Sequence, residues 1–102
     1  MARITLFWTP KSLQQMTCIA DYIARDSQYQ AKRVTTLIVR ATRRLKRFPE
    51  SGAVVPELRD ISVREIRVFS YRVLYRWRSD LRQVHILGVV HGRQLLDDSI
   101  LE

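Results

Sequence analysis

Apolar and polar positions along the chain change period twice, and each change marks a new kind of element. From Arg3 to Trp8, Ile4, Leu6 and Trp8 alternate with Arg3, Thr5 and Phe7, the two-residue period of a short strand with mixed faces. Thr9-Pro10 then supplies a hydroxyl able to cap free helical amides and the residue best tolerated at a first helical position. In the helix that follows, Leu13, Met16, Ala20 and Ile23 recur three or four apart, with Ile19 beside them. Asp26 and Ser27 offer a break and a new cap. A second helix then places Ala31, Val34, Ile38, Ala41, Leu45 and Phe48 at spacings of three and four, the clearest periodicity in the chain. Pro49-Glu50-Ser51-Gly52 stops it. The stretch through Val54, Val55, Pro56, Glu57 and Leu58 reads as an extended loop, because Pro56 cannot donate to a sheet ladder.

Beyond the loop the period returns to two. The runs 64–69, 71–77 and 83–90 are rich in β-formers and are joined by Ser70 and by Arg78-Ser79-Asp80-Leu81. Such short links predict an antiparallel meander, with the first strand pairing alongside it. The predicted fold is α+β: a helical hairpin on one face of a four-stranded, antiparallel-rich sheet in the order β-α-α-β-β-β, one domain over residues 1–102. Leu95, Leu96, Ile100 and Leu101 provide for a short terminal helix. In the middle strand of the meander, Tyr71, Val73, Tyr75 and Trp77 point one way while Arg72, Leu74, Arg76 and Arg78 point the other. A hairpin covers one side of a sheet, so Arg72 and Arg76, joined by Arg64 or Arg67, are expected on an open face. Guanidinium groups there would suit an RNA phosphate or the carboxylates of an acidic partner segment. Glu57, Glu65 and Asp80 are the carboxylates that could neutralise them from within.

Charge adds to this picture. The 102 residues carry 18 Lys+Arg against 10 Asp+Glu, a formal +8 dominated by arginine, so acidic partners are expected, whether nucleic acid or protein. The second helix carries Lys32, Arg33, Arg40, Arg43, Arg44, Lys46 and Arg47. The last five crowd its C-terminal end, where they complement the helix dipole or form a contact surface. No run approaches the roughly 20 apolar residues that span a bilayer, and Met1-Ala2-Arg3-Ile4-Thr5 lacks the apolar stretch of a signal peptide, so neither membrane nor export is expected. Cys18, the only cysteine, has no bridge partner and no ligand set; it suits a reducing cytosol as a packed or half-packed thiol. No metal or other cofactor is implied. His91 ends the last strand beside Gly92 and Arg93, and strict alternation puts His85 on the same face, past Leu87 and Val89. An imidazole could act as acid or base in RNA cleavage, yet no second proton-transfer group accompanies it, and His85 reads as structural.

Several phrases in order carry a resemblance: Asp21-Tyr22-Ile23-Ala24, the run from Leu45 to Gly52 (LKRFPESG), Val55-Pro56-Glu57-Leu58, Arg64-Glu65, Tyr71-Arg72-Val73-Leu74-Tyr75-Arg76, and Ile86 to Arg93 (ILGVVHGR). Over nearly its whole length the chain resembles the RelE/ParE superfamily of toxins from type II toxin-antitoxin systems, the ParE branch most closely. The resemblance implies a cytoplasmic growth inhibitor held inactive by a cognate antitoxin that wraps it, the pair touching operator DNA through the antitoxin. It also implies a choice of target, since ParE-type proteins poison DNA gyrase and RelE-type proteins cleave messenger RNA in the ribosome. For cleavage, Arg72 matches the RelE arginine that follows the tyrosine of the third strand. Arg67 falls near one of the RelE basic pair, Arg93 near its late arginine, and His91 could stand in for a missing group. Against cleavage, Glu65 has the wrong charge for the other basic residue. Ser99 falls near the position of the late catalytic tyrosine, and no tyrosine follows Tyr75. The implied reading is therefore a gyrase inhibitor, with a ribosome-dependent endoribonuclease or a non-toxic antitoxin-binding homologue as alternatives. Antitoxin contacts are expected at Arg64, Arg67, Arg72 and Arg76, and target contacts at Arg43, Arg44, Arg47 and Arg93.

Overall fold

Strand β1 (Thr5–Trp8) leads straight into helix α1 (Pro10–Ala24), whose N-cap Thr9 accepts the Ser12 N–H on its hydroxyl. Ser27 does the same for Gln30 at the start of α2 (Gln28–Arg43), so both helices begin where a hydroxyl satisfies an otherwise orphaned amide. The computed structural model describes residues 3–101; Met1, Ala2 and Glu102, at the ends of the amino-terminal and tail readings, lie outside the described residues. After Arg43 the chain tightens into a 3₁₀ turn, Arg44–Lys46. The helical period is lost there, and Phe48, expected on the apolar stripe, stands 61% exposed. Leu13, expected on the stripe of α1, is also exposed, leaving Met16 and Ile19 to make that helix's contacts with the core.

The remaining strands are β2 (Ala53–Val54), β3 (Val63–Val68), β4 (Tyr71–Arg78) and β5 (Gln83–His91). They form one mixed sheet in the order β1-β5-β4-β3-β2, with β1 parallel to β5 and every other pair antiparallel. The expected meander and the joining of β1 to it are both present. A fifth strand is added by Ala53 and Val54, which pair with Glu65 and Arg64. Two residues beside Pro56 are too few to produce a period, which is why this edge reads as loop in the sequence.

On the helix side, Ile38 and Leu45 pack against Val73, Tyr75, Val84, Ile86 and Val89, each nearly or wholly buried. Burying one such side chain is worth about 1.5–3 kcal/mol, so this layer supplies much of the stability. The hydroxyl of Tyr75 donates to the Pro49 carbonyl at 2.8 Å and accepts the Gly52 N–H at 2.9 Å. A Cβ on Gly52 would sit 2.6 Å from that hydroxyl, so only glycine fits.

The other face of the sheet is not open, contrary to the one-sided covering expected. Val55 and Leu58 from the loop after β2, with Leu96 and Ile100 from the tail, pack on Val63, Leu74 and Val90 to form a second apolar cluster. Val55 and Leu58 lie three apart and Leu96 and Ile100 four apart, pairs too short to show which surface they cover, yet without them Leu74 and Val90 would face water. The tail ends in a 3₁₀ turn, Asp98–Leu101, whose Ser99 carbonyl accepts from Lys11 Nζ at 3.0 Å.

A register shift in β5 has a consequence for the site. Leu74 lies opposite Gly88 and Tyr75 opposite Ile86, so Leu87 is a bulged extra residue that reverses the alternation beyond it. His85 therefore pairs with Arg76 on the loop-covered face and His91 with Tyr71 on the helix face, opposite sides and not the shared face expected. Past the end of β1, α1 takes over the flank of β5, and Gln15 Oε1 accepts the Val89 N–H at 2.8 Å. The amide oxygen serves where another strand's carbonyl would. Among the described residues no helix is long and apolar enough to cross a membrane.

Candidate functional site

Arg72 lies at the centre of the sheet arginines, and its surroundings decide what they can do. It projects from β4 into the loop-covered face with its side chain only 3% exposed. A guanidinium has five N–H donors, and here each has a partner. Nε and Nη2 donate to Glu65 Oε2. Nη1 and Nη2 form a fork on Glu57 at 2.7 and 2.8 Å, and Nη1 also reaches the Gln94 carbonyl at 3.2 Å. Glu57 additionally accepts the Leu96 N–H, so the cluster ties the loop, β3, β4 and the tail together. The Arg72 hydrogen bonds hold Glu57 at about 2, well below its ordinary 4.5, despite burial that pushes it up. Glu57 in turn raises the guanidinium's affinity for its proton, against the effect of desolvation. The expectation of an open Arg72, available to phosphate or to a partner's carboxylate, is thus corrected: two of the chain's own carboxylates saturate it.

The other three sheet arginines are dispersed. Arg76 keeps its side chain 27% exposed and pairs with Asp60 at 2.8 Å, while its Nε donates to Ser62 Oγ. Hydrogen bonds from Ser62 and then Arg76 hold the Asp60 carboxyl below its usual range. Arg64 pairs with Tyr75 on the helix side rather than joining Arg67, and caps the Glu50 and Gly52 carbonyls beside β2. Three residues apart on a strand, Arg64 and Arg67 necessarily face opposite ways. Arg67 alone of the four stands well exposed, at 63%, with a long 3.4 Å contact to Glu65. Its Nη1 would lie 3.3 Å from a Cβ placed on Gly92, at the end of the sheet where His91 sits.

His91 is exposed, set edge-on to Tyr71, and its Nδ1 accepts the Arg93 N–H at 3.2 Å. That bond leaves Nε2 to carry the proton of the neutral ring, and among the described residues no carboxylate is paired with it. Arg93 is exposed, and Ser99 is occupied with Asp97. His85 is bonded to Gln83 and lies edge-on to Phe7. The expected cleavage set of Arg67, Arg72, His91 and Arg93 therefore has its central cation sequestered and no acid-base pair. Among the described residues no three His, Cys, Asp or Glu side chains converge to hold a metal ion.

His91 instead borders a groove of about 730 Å³ between α1 and the end of β5, whose lining includes Ile19, Tyr22, Tyr71 and Val89. Cys18, expected to be packed or half-packed, is exposed along this groove. Sequence reasoning missed the groove because it exists only where α1 outruns β1. Gly88, a lone glycine in a strand run, was the available sign of the bulge that shapes it. The target candidates Arg43, Arg44 and Arg47 are all exposed at the end of α2.

Residues 6–96 match the family described as "ParE toxin of type II toxin-antitoxin system, parDE". Among solved structures, the chain is similar to one from the chromosomal ParDE toxin-antitoxin system of P. aeruginosa, at 21% identity and a TM-score of 0.70. That likeness covers 86% of this chain and 95% of the other. It is also similar to a chain of the toxin-antitoxin complex RelBE2 from Mycobacterium tuberculosis, at 22% identity and a TM-score of 0.65, covering 88% and 99%. Comparison with curated protein sequences gives no match.

Proposed function

The chain belongs to the ParE toxin family of type II toxin-antitoxin systems, and from that premise we propose that it is a growth inhibitor which acts on DNA gyrase by binding, without cleaving RNA. The observation that carries the reading is the state of Arg72. Phosphate cleavage through this arginine needs a guanidinium with donors free to meet charge developing on the phosphate, and all five here are engaged by Glu57, Glu65 and Gln94. Releasing it would strand two buried or half-buried carboxylates, a step that costs several kcal/mol. A toxin that binds its target needs no such group; its specificity resides in surfaces.

The second part of the proposal is a cognate antitoxin, as the toxin-antitoxin assemblies of the similar structures suggest. Its segment is assigned to the groove between α1 and β5. Tyr22, Ile19 and Tyr71 offer apolar contact there, and Lys11 and Arg25 on its α1 side are placed to receive a carboxylate. Of the arginines expected at that interface, Arg67 and the half-exposed Arg76 retain accessible charge; Arg64 and Arg72 serve the fold.

Induced expression in growing cells tests the target. The DNA-damage response should rise before protein synthesis falls, and co-expression of the cognate antitoxin should suppress it. Codon-dependent mRNA cuts on ribosomes, abolished by His91→Ala, would assign the ribonuclease activity instead. Arg72→Ala is not a useful variant for this purpose, because its loss of activity would report unfolding.

A further inference from the structure

We propose that the outward face of α2 is a binding surface for the phosphate backbone of duplex DNA. The first observation is where the charge lies. Residues 28–48 hold seven Lys and Arg and no Asp or Glu, while the other eleven cations of the chain nearly balance its ten acids. Almost the whole net +8 thus belongs to one helix and the turn that ends it.

The second observation is geometric. At 100° per residue, Lys32, Arg33, Arg40, Arg43 and Arg44 fall within an arc of roughly 120°, diametrically opposed to the buried Ala31, Ile38 and Ala41. All five are exposed, and Thr36 and Tyr29 lie exposed among them. Shallow grooves between the rows are lined by Thr36 with Lys32, Arg33, Arg40 and Arg43. With Arg47 the stripe is roughly 20 Å long.

The third observation is that folding alone does not account for it. The helix dipole favours Arg43 and Arg44 at the C-terminal end, but Lys32 and Arg33 stand in the N-terminal half, where cations gain nothing. Arg40, Arg43, Arg44 and Arg47 recur at spacings of three and four, which sets like charges beside one another. Among the described residues no carboxylate lies within ion-pair distance of any of them; the ion pairs involve Arg67, Arg72, Arg76 and Arg78. Arg33 has only the ring of Phe69, 5.6 Å away. A surface of mutually repelling cations is relieved by a polyanion.

Duplex DNA fits this face better than the other polyanions. A single strand is held by a ladder of stacking aromatics, whereas Tyr29 alone lies within this stripe and the rings of Phe69 and Phe48 at its margins are each already faced by an arginine, Arg33 and Arg47. A protein interface is anchored by buried apolar side chains at its centre, whereas the centre here is Thr36 between arginines. A straight α-helix matches the roughly 12 Å major groove of B-form DNA and meets a phosphate charge about every 1.7 Å of axis. Contacts confined to phosphates make the binding independent of sequence. The inference is separate from the gyrase reading: a chain that left gyrase untouched would still hold DNA.

The test is fluorescence anisotropy with the purified 102-residue chain and a labelled duplex of arbitrary sequence. Affinity should fall about 10²–10³-fold between 50 and 200 mM salt, as expected for some five phosphate contacts. Arg40→Gln/Arg43→Gln/Arg44→Gln should bind at least tenfold more weakly with a salt slope reduced by about three. Arg3→Gln/Arg59→Gln/Arg82→Gln, which removes equal charge elsewhere, should lose far less. Each single glutamine substitution on α2 should lower the slope by about one, so the series remains informative if the triple variant misfolds. Equal losses in the two triple variants, an unchanged slope, or displacement of the duplex by an equally charged polyglutamate at lower concentration would overturn the proposal.

Discussion

Arginines meet opposite fates on the loop-covered face of the sheet and on the outer face of α2. Arg72 has lost its water and gained two carboxylates. Arg40, Arg43 and Arg44 keep their water and, among the described residues, have no carboxylate. The residue type is the same, and its chemistry depends on which acids the fold brings within reach. A buried, saturated guanidinium organises structure; an exposed, unpaired row of them is available to a foreign polyanion.

If this contrast is correct, stability should follow the burial of each ion pair. The largest effect belongs to Arg72→Ala, which leaves Glu57 and Glu65 without their cation and should lower unfolding free energy by about 3–5 kcal/mol in urea titrations. A loss under 1 kcal/mol would mean that the cluster opens readily and would restore the arginine as a candidate for chemistry.

Acid should attack the same cluster next. The Glu57 pKa is lowered on folding, so its contribution is complete above about 4.5 and is lost as the pH falls towards about 2. Between those values the wild-type chain should lose stability faster than Glu57→Gln, measured by urea midpoints at a series of pH values. Parallel curves would show that the fork on Arg72 does not couple to folding.

Arg76→Ala, at a half-exposed pair with Asp60, should cost about 1 kcal/mol or less. At the far end of the scale, Arg40→Gln/Arg43→Gln should change stability by no more than about 0.5 kcal/mol, with a small gain from relieved repulsion. A destabilisation as large as that of Arg72→Ala would erase the distinction between the two regions.

Much of this contrast was readable from the chain and some was not. Thr9-Pro10 and Ser27 announced both helices, because capping is a local matter between residues three apart. The alternation of β4 correctly separated Tyr71, Val73 and Tyr75 from Arg72 and Leu74. Glu57 and Glu65 were visible as partners for the arginines, but only the folded loop shows that both converge on Arg72, seven residues from Glu65 and fifteen from Glu57. Leu96 and Ile100 cover the second face from a tail whose apolar residues are spaced as for a short helix, but that spacing does not say which surface of the sheet they meet. His85 and His91 were put on one face by an alternation that a single bulged residue, Leu87, reverses.

With Arg72 committed to structure, the action proposed for this toxin is binding to DNA gyrase. A supercoiling assay with purified DNA gyrase and relaxed plasmid tests it most directly. The purified chain should halt supercoiling in proportion to its concentration, and premixing with its antitoxin should restore it. Undiminished supercoiling, together with cut messenger RNA when the same preparation is added to a translating extract, would assign ribonuclease action instead.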